Sequence, residues 1–315
     1  MHMLHHLKVA ALAAVTAIGT LAVTPAFAEA PRVAVALPGM ITDRAFNENV
    51  YNGLVMAEEQ FGADTAYTEN VSQATQVEVM SDYARRGYDI VVGAGGEYTD
   101  AAERVAASFP ETTVIVLNGA PTEGVTTINY NNPEFGYLVG LVAGHVSETG
   151  VAAALSAQEF AAFTNVVDGF RKGFQTANPE GEVLVAYTND WADIAKAKEA
   201  SFNLISQDVD VILPYLDAGW VGVAQAAEER GIHTVGILHE SDTNLVSARL
   251  DFARALAWAV EKYQDGTLEP QDYVIHLTSV DQLGDFSDAV PEDVRARALE
   301  AVEKIKSGAL SFDTE

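Results

Sequence analysis

The sequence predicts an α/β protein of two doubly wound lobes joined by a multi-strand hinge. Three observations carry that reading. Runs such as Ile90-Val91-Val92 and Val114-Ile115-Val116-Leu117 are apolar without alternation, as parallel strands covered on both faces are. Helical stripes separate these runs, so right-handed crossovers are expected. The pattern then starts again after the polar stretch Asn129–Asn132, which suits a linker.

In the first half the strand candidates are Val33–Leu37, Thr65–Thr68, Ile90–Gly93, Val114–Leu117 and Thr126–Tyr130. Between them lie helical stretches over Asn47–Phe61, Gln73–Arg86 and Tyr98–Ser108. Phe46, Val50, Leu54, Ala57 and Phe61 recur at three- and four-residue steps, the apolar stripe of a helix. Pro133 can open a helix at its first turn, and that helix runs to Glu148. Strands then fall at Val151–Leu155, Val183–Tyr187, Val211–Leu213 and Thr234–Ile237, with helices at Phe163–Ala177, Asp193–Gln207 and Val221–Arg230. The remaining pieces are too small for a third domain: a strand Leu245–Asp251, a helix Phe252–Asp265, a strand Tyr273–Leu277 and a charged helix Pro291–Ser307. They are expected to complete the two lobes, 29–130 plus 245–274 and 131–244 plus 275–315. A hinge with a cleft suggests closure on a ligand.

Residues 1–28 read as a cleavable secretory signal: Lys8, the apolar run Val9–Val23, then Ala26-Phe27-Ala28. The run is short and alanine-rich for a membrane span. The chain contains no cysteine, which excludes disulfides, thiolate metal sites and a lipid-attachment cysteine. An exported, periplasmic protein is therefore expected. With 18 basic and 45 acidic residues the net charge is −27, and the signal holds only Lys8 among them. Such an excess disfavours the polyanions nucleic acid and anionic lipid as partners.

Motifs of catalysis are missing. There is no G-x-S-x-G, no H-E-x-x-H and no G-x-x-x-x-G-K-[ST]. His145, His233, His239 and His276 lack metal-ligand spacing, so neither a metal nor a cofactor is expected. What stands out is the placement of loops at carboxyl strand ends, where open α/β sheets bind small ligands. Asp43 can cap the first helix, and Phe46 and Asn47 follow at its N-terminus; Phe46 is either a ligand contact or the start of the core stripe. Gly93-Ala-Gly-Gly96 allows close backbone approach, with Gly95 and Gly96 opening a helix, or is simply a tight turn. Glu97 beside it can bond a ligand or its own helix. Trp191 with Asp193, Asp217 in Tyr215–Trp220, and the pair His239-Glu240 occupy similar ends in the second half. Two aromatics facing each other across a cleft can sandwich a flat ring, each stacked pair contributing about 0.5–1.5 kcal/mol beyond area burial.

These residues resemble the basic-membrane-protein family of periplasmic substrate-binding proteins, in its purine-nucleoside-receptor-like branch. The family's Asp-x-Ser-Phe-Asn element is matched by Asp43-Arg-Ala-Phe-Asn47, followed by Tyr51-Asn-Gly-Leu54. Glu134–Gly140, Trp191-Ala-Asp193 running into Lys196–Glu199, Asp208–Ile212 and Val235-Gly-Ile237 follow in the family order. The resemblance implies a type I periplasmic-binding-protein-like fold, no enzymatic activity, a membrane permease of an ABC transporter as partner, and a monomeric carrier. It also implies that Phe46 and Trp191 stack on opposite faces of a purine-like heterocycle while Asn47 bonds its edge. Two departures bear on the ligand. Relatives commonly end the first strand with an acid, where this chain has Leu37-Pro38-Gly39. They commonly carry Asp-x-Asp where this chain has Leu238-His239-Glu240. Unpaired ribose hydroxyls would cost about 1–3 kcal/mol each, which points to a free nucleobase or related flat ring rather than an intact nucleoside. A sensor of the same fold facing a signalling receptor, or a binder of a different solute such as a sugar, is the alternative. A hydrolase would need an acid–base or metal-binding cluster that the sequence does not offer.

Overall fold

Each lobe grows from a parallel sheet whose strands are too apolar to face water. In the computed structural model, which describes residues 30–312, β1 (Arg32–Ala36), β2 (Asp64–Thr68), β3 (Ile90–Ala94), β4 (Thr113–Leu117) and β5 (Thr126–Tyr130) enter the first sheet. A late strand, β11 (Asp272–Ile275), joins its edge, giving the order β11-β5-β4-β3-β1-β2. The second sheet contains β6 (Val151–Ser156), β7 (Glu182–Tyr187), β8 (Val211–Tyr215), β9 (His233–Ile237) and β10 (Asn244–Ala248), in the order β10-β9-β8-β6-β7. All the strand pairs in both sheets are parallel, so every loop at a carboxyl strand end lies on one edge of its lobe. The expected secretory signal 1–28 lies outside the described residues.

The helices are α1 (Phe46–Phe61), α2 (Gln76–Arg85), α3 (Thr99–Ser108), α4 (Asn132–Val146), α5 (Ala161–Ala177), α6 (Ile194–Ile205), α7 (Trp220–Arg230), α8 (Phe252–Gln264) and α9 (Glu292–Lys306). The stripe expected on α1 buries Val50, Leu54 and Ala57, and α8 packs against that helix. Residues 73–75 form a separate 3-10 turn ahead of α2. Helices α4 and α5 approach unusually closely. Gly136, Gly140 and Gly144 recur one turn apart on α4, and a Cβ at Gly140 would run into the Phe170 carbonyl. Gly173 on α5 meets the Tyr137 carbonyl in the same way.

One strand sits in the other lobe from that expected. Residues 245–251 were expected in the first lobe, yet β10 pairs with β9 of the second, with Asn244 opposite Thr234 and Ala248 opposite Ile237. Side chains fix this choice: Thr234 Oγ1 donates to Asn244 Oδ1 (2.6 Å), and Asn244 Nδ2 donates to Ser247 Oγ (2.9 Å). The strand also stops at Ala248, because Asp251 is the N-cap of α8 and accepts from Arg254 N at 2.9 Å. The chain thus passes between lobes after β5, after β10 and after β11. The crossings are tied together. Asn131 N donates to Ile275 O (2.9 Å) and Arg249 N to Gln282 O (2.7 Å). The buried Glu134 carboxylate takes His276 Nδ1 (2.9 Å) and Leu277 N (2.7 Å).

Candidate functional site

The carboxyl ends of the two sheets face each other, and between them lies a cavity of about 550 Å³. From the first lobe its wall takes Phe46 at the start of α1, the turn Gly95-Gly96-Glu97 after β3, and Asn118 after β4. From the second it takes Phe160 after β6, Trp191 after β7, Tyr215 and Asp217 after β8, and Leu238 after β9. Asn129 and Asn132 close it on the hinge side. Binding clefts at strand ends are what this topology favours.

Phe46 and Trp191 line the same cavity from opposite lobes, and each is braced by another ring. Phe252 of α8 meets Phe46 edge-on, with centroids 5.1 Å apart and planes at 85°. Phe160 meets Trp191 at 5.7 Å and 75°, and Phe160 in turn meets Tyr215 at 5.8 Å. Such edge-to-face contacts hold the rings in place without covering both faces.

The glycine turn has a stereochemical basis. Gly95 has φ +115°, a region that residues with a Cβ avoid. A Cβ at Gly96 would meet the Asn118 carbonyl. Glu97 is exposed to the cavity, and partial desolvation there pushes its carboxyl above the usual range. Asp217 is enclosed more completely. Burial, then the charges of Asp43 and Glu97, push it up to about 8 against the opposing hydrogen bond from Asn47. No Lys, Arg or His is among the residues lining this cavity.

Several predicted residues lie behind the wall rather than in it. Asp43 is buried and acts as the forward cap of α1: its oxygens accept Ala45 N (2.9 Å), Asn47 N (3.0 Å) and Glu48 N (3.0 Å). Ala45, not Asp43, occupies the N-cap position itself. Asn47 is wholly buried and both of its amide hydrogens are engaged. Its Oδ1 accepts Gly39 N (3.0 Å), and its Nδ2 donates to Asp43 Oδ2 (2.8 Å) and Asp217 Oδ2 (3.0 Å). It therefore has no hydrogen left for the edge of a ring, contrary to expectation; it links the lobes instead. Asp193 caps α6, accepting Lys196 N at 3.0 Å. His239 is buried under Trp220, stacked at 4.7 Å and 17°, and its Nδ1 donates to Ile237 O (2.8 Å). Burial lowers its pKa to about 4, so the ring is neutral. Glu240 is exposed and paired with Arg249 at 2.8 Å.

Sequence reasoning did not single out Asn118, Phe160, Asn132 or Leu238. Asn118 and Leu238 hold left-handed backbones, φ +62° and +68°, at strand ends; a lone Asn after an apolar run was the available signal for the former. Asn118 Nδ2 also donates across the cleft to Tyr215 Oη (3.3 Å). With Asn47–Asp217 and the Arg44 guanidinium 5.1 Å from the Trp220 ring centre, three contacts join the lobes over the cavity. Among the described residues no group of His, Asp and Glu could hold a metal ion.

The comparisons agree with this geometry. A family model for the PnrA-like substrate-binding proteins of ABC transporters matches residues 30–266. The chain is 28% identical over 290 residues to a transcriptional activator protein, med, of Bacillus subtilis (strain 168), covering 89% of this chain and 90% of that one. It is 27% identical over 256 residues to a purine-binding protein of Brucella abortus (strain 2308), covering 79% and 72%. A solute-binding protein of an ABC transporter system from Aeropyrum pernix K1 superposes with a TM-score of 0.79 at 21% identity, over 90% of this chain and 94% of that one. The fold is that of the periplasmic binding proteins, and the family implies a small-molecule ligand and a permease partner rather than catalysis. This chain belongs to the PnrA-like family of ABC-transporter substrate-binding proteins.

Proposed function

We propose that the cleft binds a purine-like heterocycle, stacked between Phe46 and Trp191, in an exported periplasmic carrier that hands it to an ABC permease. The observation that carries this reading is the pair of braced aromatic rings lining one cavity from opposite lobes. Closure brings stacking faces together that the open lobes hold apart, so ligand binding and closure reinforce each other. Asn132 Oδ1, buried in the hinge-side wall, finds no donor among the described residues and suits a ligand N–H. The purine-binding relative supports the same class of ligand.

The geometry favours a free base over a nucleoside. Glu240, which the family resemblance would assign to ribose hydroxyls, is paired with Arg249 and is absent from the cavity wall. Screening bases, nucleosides, sugars and amino acids by thermal shift tests the reading directly. Purine bases should raise the melting temperature most; stabilisation by sugars alone would refute the stacking role. The relative named as a transcriptional activator favours a second reading, a sensor whose closed form docks on a signalling partner. Co-purification of the liganded protein with a permease, or with a receptor instead, separates the two.

A further inference from the structure

Two carboxylates from opposite lobes share one amide. Asn47 Nδ2 gives one hydrogen to Asp43 Oδ2 and the other to Asp217 Oδ2, at 2.8 and 3.0 Å. Glu97 faces the same cavity from the turn before α3, Tyr215 precedes Asp217 on β8, and no cationic side chain lines the wall. Arg44, on the turn before α1, lies over the Trp220 ring. Two ionised carboxylates sharing one amide, one buried and the other half-buried, repel unless one holds a proton. Hydrogen bonding decides which one. Asp43 accepts four hydrogen bonds, three of them from backbone N–H groups at the start of α1. Asp217 accepts only the one from Asn47, and its Oδ1 meets no donor among the described residues. With four donors on Asp43 and one on Asp217, the proton belongs on Asp217.

We propose that Asp217 enters the ligand site as a carboxylic acid, held so by the Asp43–Asn47–Asp217 bridge, and donates a hydrogen bond to an unprotonated ring nitrogen of the ligand. This rests on the heterocycle reading above and sharpens it. Asp217 is then a specificity-determining residue that selects a ring bearing a lone-pair nitrogen and disfavours a ring offering only N–H groups there. The upward displacement of its pKa to about 8 agrees with this placement.

The sign of the pH effect follows. A ligand that accepts a hydrogen bond from the protonated acid raises the pKa of Asp217 above its ligand-free value. Affinity is therefore complete below about pH 8 and is lost as pH rises through and beyond that value. Adenine stays neutral between pH 7 and pH 9 and is the probe. Titration calorimetry should find adenine bound about tenfold more weakly at pH 9 than at pH 7. In Asp217→Asn, which cannot ionise, the ratio of the two affinities should be close to one. Equal wild-type affinity at both pH values overturns the proposal, as does an unchanged ratio in the variant. An infrared difference spectrum, wild type minus Asp217→Asn, provides a readout without ligand. It should contain the C=O band of a neutral carboxylic acid at pH 7, fading as pH passes 8, and absence of that band at pH 7 also overturns the proposal. If no ring binds but the band is present, the heterocycle reading fails while the protonated state of Asp217 stands.

Discussion

At the scale of single residues, the site depends on side chains whose neighbours leave them one role. Phe46 and Trp191 both line the cavity, and each is held by a second ring set nearly perpendicular to it. Each should contribute the stacking term of about 0.5–1.5 kcal/mol plus the area it covers on the ligand. Phe46→Ala and Trp191→Ala should therefore each weaken heterocycle binding by about 10- to 100-fold in calorimetry, and unchanged affinity in both would return these rings to the core. His239 has the opposite character, a polar ring made structural by burial. Its pKa of about 4 lies below the unfolded value of 6.5, so the stability tied to its neutral form is complete above 6.5 and lost as pH falls toward 4. Urea melts at pH 7 and pH 4.5 should show wild type losing a few kcal/mol through this group. His239→Gln, which does not titrate, should lose less over the same interval.

At the scale of elements, hydrophobic period was enough to place nearly every helix and strand, because buried parallel strands leave continuous apolar runs and α1 leaves a clear stripe. Element edges needed hydrogen bonds to settle. Asp251 reads as the end of a strand but caps α8, and residues 73–75 read as helix but form a separate tight turn. The α4–α5 pair is the element contact most exposed to substitution. Gly140→Ala would push a methyl group into the Phe170 carbonyl, and the helices would have to part along their length. The expected cost is about 1–3 kcal/mol, seen as a lower urea midpoint with the slope unchanged. A wild-type midpoint would mean that the helices have room to spare.

At the scale of the molecule, contacts that no single lobe contains join the two lobes across the cleft. Asn118 Nδ2 reaches Tyr215 Oη and Asn47 Nδ2 reaches Asp217 Oδ2. Each such bond contributes about 0.5–1.5 kcal/mol to the closed form. Asn118→Ala should therefore weaken ligand binding by about 3- to 10-fold and expand the ligand-free protein in small-angle scattering. An unchanged radius and affinity would show that closure does not depend on this contact. The hinge itself is anchored at Glu134, where a buried carboxylate bonds the third crossing through His276 and Leu277.

Periodicity and turn chemistry specify the two-lobed α/β architecture and put Phe46, Gly95, Gly96, Glu97, Trp191 and Asp217 at strand ends that meet in one cavity. They can do so because both are local, and parallel topology sends all such ends to the same edge. The place of β10 in the second sheet was not legible in the sequence, since an apolar strand does not encode which sheet will receive it. The roles of Asp43, Asn47, Asp193, His239 and Glu240 came from tertiary contacts, since each bonds a protein neighbour and none is in the cavity wall. Hydrogen bonds are finite and directional, so what a polar side chain can offer a ligand depends on partners brought to it from distant parts of the chain.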